Sequence, residues 1–254
     1  MIRTFKTLLV TLMVAASMAG QSFAQTKAKI DPKAAEILKQ VTTYLGTAKT
    51  LSFTAITMYD VLEKSGIKTL RVVKQDIVLQ RPRGLYSRFK DERGTTREMW
   101  FDGTSVTVFQ ANKNIFDVAA MKLSAKATND DFLDALSARL GVSFPIIDLL
   151  YSNIARNVRE NLISGVYLGK RNMILDGTQA HHISFESQNA DWQIWVAVGD
   201  KPVILRMAVT YVTQAERPGY VTVMGNWKVN SEVQASLFTP NVPKGARRQK
   251  FLKK

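Results

Sequence analysis

Residues 99–109 read MWFDGTSVTVF, and this stretch decides the fold. Met99-Trp100-Phe101 and Val106-Thr107-Val108-Phe109 are β-prone runs on either side of Asp102-Gly103. That dipeptide is among the strongest short-range hairpin signals, because glycine takes the positive φ that such turns require. Working outward, the same two-residue period governs the chain from Leu51 to Val118. Leu51, Phe53, Ala55, Thr57, Tyr59 and Val61 alternate with Ser52, Thr54 and Asp60. Val73, Ile77 and Leu79 share a face, Arg81-Pro82-Arg83-Gly84 is a turn, and Leu85 to Lys90 and Ile115 to Val118 supply further short strands.

Helical signals flank this block. Asp31-Pro32 reads as an N-cap with proline at the first helical position, followed by Ile37, Val41, Tyr44 and Leu45 on one face and Gly46 as the stop. Thr128-Asn129-Asp130-Asp131 opens a second helix with caps and negative charge at its N-terminus. Phe132, Leu136 and Leu140 follow at a spacing of four. Phe144-Pro145 opens a short third helix that is apolar almost all round, so it must be buried or must cover something apolar. Strands then resume at Gly165–Asn172, Gln179–Ser187, Trp192–Val198, Val203–Val212 and Tyr220–Val229. Consecutive strands with short turns make an antiparallel meander.

The N-terminus carries Arg3 and Lys6, an uncharged apolar stretch to Ala24, and small residues at Ser22 and Ala24. This is the pattern of a cleavable signal peptide, and the run is too short and interrupted for a membrane span. The expected organisation is a signal peptide over 1–24, a linker over 25–30, one domain over 31–240 and a basic tail over 241–254. The chain has no cysteine, which excludes disulfides, thiolate catalysis and cysteine metal sites. Its formal net charge of +14 favours anionic partners, and export argues against nucleic acid. The tail residues Arg247, Arg248, Lys250, Lys253 and Lys254 read either as a solvated tail or as a polybasic contact with anionic lipid.

Catalytic signals are weak. The two histidines, His181 and His182, are adjacent on a strand, so they point to opposite faces and do not share a metal. Asp130, Asp131 and Asp134 complement a helix dipole more simply than they form a site. No nucleophile elbow, phosphate loop or zinc motif is present, and no cofactor is expected.

A resemblance adds to this reading. Arg81-Pro82 with Leu85 and Arg88, and Trp100 through Thr107, resemble the pattern RP-x-x-L…YDG-x-x-V-T of an exported bacterial family of predicted periplasmic proteins of unknown function. Leu149 to Ser152, Ser164 to Gly169, His182 to Phe185, Asp191 to Trp195, Gly199 to Pro202 and Tyr211 extend it over nearly the whole mature chain. That family is similar to the LolA/LolB-like lipoprotein-carrier fold. The resemblance implies an incomplete antiparallel barrel closed by helices, and acyl-chain binding as a function.

Together these readings predict an α+β protein, a half-open antiparallel β-barrel of about ten strands closed by a few helices. The leading expectation is a periplasmic, non-enzymatic carrier of a lipid or acylated ligand. The alternative is a structural or adaptor protein of the envelope that binds another protein or an anionic membrane surface; a hydrolase ranks last. Phe144 to Tyr151 is expected to plug the concave face of the sheet. Phe144, Ile147, Leu150 and Tyr151 of this plug would line an apolar cavity with Trp100, Val108, Trp192, Ile194, Leu205 and Met207.

Overall fold

The computed structural model describes residues 29–140, 146–154, 162–174 and 176–252. The chain begins with strand β1 (Lys29–Ile30) and helix α1 (Pro32–Gly46), then runs through β2 (Thr50–Leu62), β3 (Lys68–Gln80), β4 (Gly84–Asp91), β5 (Thr96–Phe101), β6 (Ser105–Gln110) and β7 (Ile115–Ala120). Helix α2 (Asn129–Leu140) follows. The second run of strands is β8 (Leu162–Asn172), β9 (Gln179–Ser187), β10 (Ala190–Ala197), β11 (Ile204–Tyr211), β12 (Gly219–Val229) and β13 (Arg247–Arg248).

All the strands belong to one open, curved sheet in the order β1-β8-β9-β10-β11-β12-β2-β3-β4-β5-β6-β7-β13. Every interior pairing is antiparallel. Only the two-residue edges, β1 on β8 and β13 on β7, are parallel. The sheet has thirteen strands rather than the expected ten or so, and it is not a closed barrel. Two of the additional strands, β1 and β13, come from the segments expected as linker and tail. Lys29–Ile30 docks beside Gly165, where an added β-carbon would lie 2.7 Å from the Phe185 ring. Glycine there lets the edge strand approach. The expected signal peptide over 1–24 lies outside the described residues. Among the described residues, no helix is long and apolar enough to cross a membrane.

One face of the sheet carries the core, and both helices lie on it. The predicted cap of α1 is in place: Asp31 Oδ1 accepts from Lys33 N at 2.7 Å and Ala34 N at 3.4 Å. Helix α1 buries Ile37, Leu38, Val41 and Leu45 against the sheet. Helix α2 inserts Phe132, Leu133 and Leu136, and Phe132 stacks on Phe101 with centroids 3.6 Å apart and planes 2° from parallel. Polar residues on this face are paired across strands, as burial requires. Thr57 and Thr222 hydroxyls meet at 2.8 Å, and Gln75 Nε2 donates to Ser87 Oγ at 2.8 Å.

The expected third helix is, over its described part, a single 3-10 turn at Ile147–Leu150. It still buries Ile146, Ile147, Leu149 and Leu150 and leaves Asp148 accessible. The tail also differs from its reading. Gln249 N donates to Phe116 O at 2.8 Å, while Phe251 N and Leu252 N both donate to Asp117 Oδ2 at 2.9 Å. Phe251 and Leu252 pack against the core, so residues 247–252 form an ordered clasp on the β7 edge. Arg247 and Arg248 remain exposed, as does Lys250, whereas Lys253 and Lys254 lie outside the described residues.

Candidate functional site

The segment around the 3-10 turn is held from three sides. Arg81, at the end of β3, donates from Nη1 to Ala48 O at 2.5 Å. From Nη2 it donates to Leu150 O at 3.0 Å and Tyr151 O at 3.2 Å. The RP turn is therefore a tie between the end of α1 and the plug, not a simple reversal. Two of the three aspartates at the start of α2 hold the same segment: Asp130 accepts from Ser152 N and Oγ, and Asp134 accepts from the Tyr151 hydroxyl at 2.8 Å. The third, Asp131, accepts from Thr128 N at 2.7 Å within its own cap. At Gly46 a β-carbon would collide with the Ser152 carbonyl oxygen, so only glycine lets α1 end against the plug.

Between α1, this segment and strands β10 to β12 lies a cavity of about 340 Å³. Leu38, Val41 and Leu45 come from α1; Leu149 and Ile154 come from the plug segment. Trp192, Ile194, Ile204, Met207 and Val209 form the sheet wall. Trp192 stacks on Phe185 at 4.2 Å, which sets its ring flat along the wall. The polar lining is sparse: Thr42, Ser187, Asn189, Tyr211, Tyr220 and the carboxylate of Asp148. Although Asp148 keeps access to solvent, the protein packed around it displaces enough water to raise its carboxyl above the ordinary range. Burial also raises both tyrosines, and the nearby Asp148 adds to the effect. An apolar wall with few polar groups is the usual make-up of a small-molecule site.

Of the residues singled out in the sequence, Trp192, Ile194 and Met207 line this cavity. Val108, Ile147 and Leu150 lie in the packed core, and Tyr151 is half-buried against it. Phe144 lies outside the described residues. Trp100 and Leu205 are placed on the other face of the sheet. Met99 and Phe101 point into the core, so Trp100 between them points away and meets Tyr86 at 5.9 Å. For Leu205 the cause is a β-bulge. The β10–β11 register slips between Trp195 and Val196, so Ile204 faces the cavity. Leu205 lines a groove on the opposite face with Ile56 and Val223.

Sequence reasoning missed Asp148, Tyr211, Tyr220, Asn189 and the α1 residues Leu38 and Thr42 as lining. Asp148 was discoverable: it is the one charge inside an otherwise apolar run. The histidines do point to opposite faces. His181 Nδ1 lies 3.0 Å from the Tyr167 hydroxyl. His182 stacks on Trp195 at 4.1 Å and meets Gln193 Oε1 at 2.9 Å. Among the described residues no group of three or more His, Cys, Asp or Glu could hold a metal ion.

The class so defined is a helix-covered open sheet with an apolar cavity on its concave face. The family model described as "Predicted periplasmic protein (DUF2092)" matches residues 34–252, and the chain belongs to that family. A comparison with curated proteins returns no match. Among solved structures, the chain is similar to LprF from Mycobacterium bovis, at 10% identity over 85% of this chain and 98% of that one, with a TM-score of 0.46. It is similar to the Mycobacterium tuberculosis lipoprotein LppX at 12% identity over 81% and 99%, with a TM-score of 0.45. A LolA superfamily protein from Nitrosomonas europaea matches at 10% identity over 82% and 98%, with a TM-score of 0.32.

Proposed function

We propose that this protein is a non-enzymatic binding or carrier protein that takes a lipid-like, chain-bearing ligand into the cavity beneath α1. The observation that carries the reading is the cavity itself. It holds about 340 Å³, within the roughly 300–1,000 Å³ of ligand sites, and its walls are mostly Leu, Ile, Val, Met and Trp. A solid core would close such a space, because unfilled apolar volume costs stability. The test is fluorescence of N-phenyl-1-naphthylamine, an uncharged apolar dye, on addition of delipidated protein. Saturable enhancement at micromolar protein supports the reading. No enhancement, or enhancement unchanged when Val41→Phe fills the cavity, overturns it.

A second reading is an adaptor at an anionic membrane surface. Its support is the exposed pair Arg247 and Arg248 beside Lys250 on the ordered clasp. Charges near such a surface contribute about 1 kcal/mol each and are screened by salt. Replacing these three residues by Ser should weaken binding to anionic vesicles at low salt without altering dye uptake. Unchanged vesicle binding removes this second reading.

A further inference from the structure

The cavity is mostly apolar, and its one described charge has a sign. Among the described residues, Asp148 is the only charged one in the lining. It forms no ion pair with any described residue, and no described Lys, Arg or His joins it in the wall. Of its polar neighbours, Thr42 and Ser187 offer little to an anion, while Asn189, Tyr211 and Tyr220 carry donors of their own. The Thr42 hydroxyl donates to Leu38 O at 2.8 Å, and the Ser187 hydroxyl donates to Ala190 O at 2.5 Å. Both donors are thus already engaged with the backbone. Asp148 itself only accepts. An anion entering this space would meet a like charge, and like-charge juxtaposition is a strong source of discrimination.

We infer that the ligand's polar end is a hydrogen-bond donor and not an anion: a single alkyl or acyl chain ending in a hydroxyl or an amine, with that end held at Asp148. This deepens the carrier reading above and rests on it. The volume suits one chain, since it lies at the small end of the range for ligand sites. The preference also runs against the field of the whole molecule. With a formal net charge of +14, the protein surface draws anions in general. Rejection of a carboxylate would therefore have to come from the cavity.

The experiment uses the full mature protein and displacement of N-phenyl-1-naphthylamine by dodecanol, dodecylamine and dodecanoate, each below its aggregation threshold, near neutral pH. Chain length is constant, so only the polar end varies. Dodecanol and dodecylamine should displace the dye, and dodecanoate should be weaker by roughly tenfold or more. Asp148→Asn, checked by circular dichroism for retained fold, should bring dodecanoate up to dodecanol and weaken dodecylamine. Dodecanoate equal to dodecanol on the wild type overturns the inference, as does a ratio unchanged by Asp148→Asn. In either case dye binding would leave the carrier reading intact. Failure of the dye itself to bind removes both.

Discussion

The two halves of the concave face are built from the same parts and end differently. Under α2 the face is solid. Phe132 lies flat on Phe101, and Leu85, Val106, Met121, Leu133 and Leu136 close around them with essentially no solvent exposure. Under α1 the helix offers Leu38, Val41, Thr42 and Leu45, and about 340 Å³ stays unfilled. One helix acts as a core element and the other as a roof. The plug segment between them belongs to both: Leu150 is packed in the core, while Asp148 and Leu149 line the cavity.

The comparison breaks most sharply at Phe132. Phe132→Ala should cost about 3–5 kcal/mol of unfolding free energy, as for large-to-small changes in packed cores. Dye affinity of the fraction that remains folded should not change. Denaturant unfolding measures the first and dye titration the second; a loss of affinity without loss of stability would mean that the halves are not separate.

Arg81→Ala should be the next largest. It strips donors from the carbonyls of Ala48, Leu150 and Tyr151, at a cost of about 1–3 kcal/mol. Because Arg81 ties the plug to α1, this variant should also weaken dye binding, unlike Phe132→Ala. Unaltered dye binding would show that the plug keeps its place without this tie.

Val41→Phe sharpens the contrast from the other side. In a filled core an added ring strains its neighbours by about 1–3 kcal/mol; here it enters vacant space and should change stability by less than about 1 kcal/mol. Dye binding should be lost. A strongly destabilised variant would mean that the α1 half is as full as the α2 half.

The smallest effect concerns pH at the far edge. Burial works against charge on Asp117, but the N–H groups of Leu252, Phe251 and Val118 outweigh it, with Arg248 adding a little. The carboxyl is held below its ordinary range. A depressed carboxyl stabilises the folded form above the unfolded-chain value of about 3.9 and loses that contribution as pH falls through the folded value. The clasp should therefore hold near neutrality and loosen only in acid below that range, seen as faster hydrogen exchange at Phe251 and Leu252. Loosening that begins near pH 6, where histidine titrates (about 6.5), would assign the effect elsewhere.

Much of this was legible in the sequence, for identifiable reasons. Alternation over 51–118 and the Asp102-Gly103 turn gave the strands and their hairpins, and Asp31-Pro32 marked the start of α1. Periodicity says which residues share a face within a strand, but not which face meets the helices. Trp100 therefore looked like cavity lining although it points away. A bulge is invisible to alternation, so Leu205 was taken for Ile204. Two-residue strands have no period at all, and both β1 and β13 pair with partners more than a hundred residues distant. The cavity's location depended on how α1 and α2 divide one face, which is a tertiary matter that no local pattern records.

The brevity of those two edge strands has a consequence for assembly. A sheet this wide presents a row of unpaired backbone groups at each margin, and a long, flat margin is a template for another chain. Here each margin is finished by only two residues running parallel to their neighbour. At one of them those residues are Arg247 and Arg248, whose exposed charges repel a second copy arriving in register. The clasp thus covers part of the β7 edge that another chain could otherwise pair with. A chain cut before Lys244 would bare β7, and its first new property would be self-association along that edge.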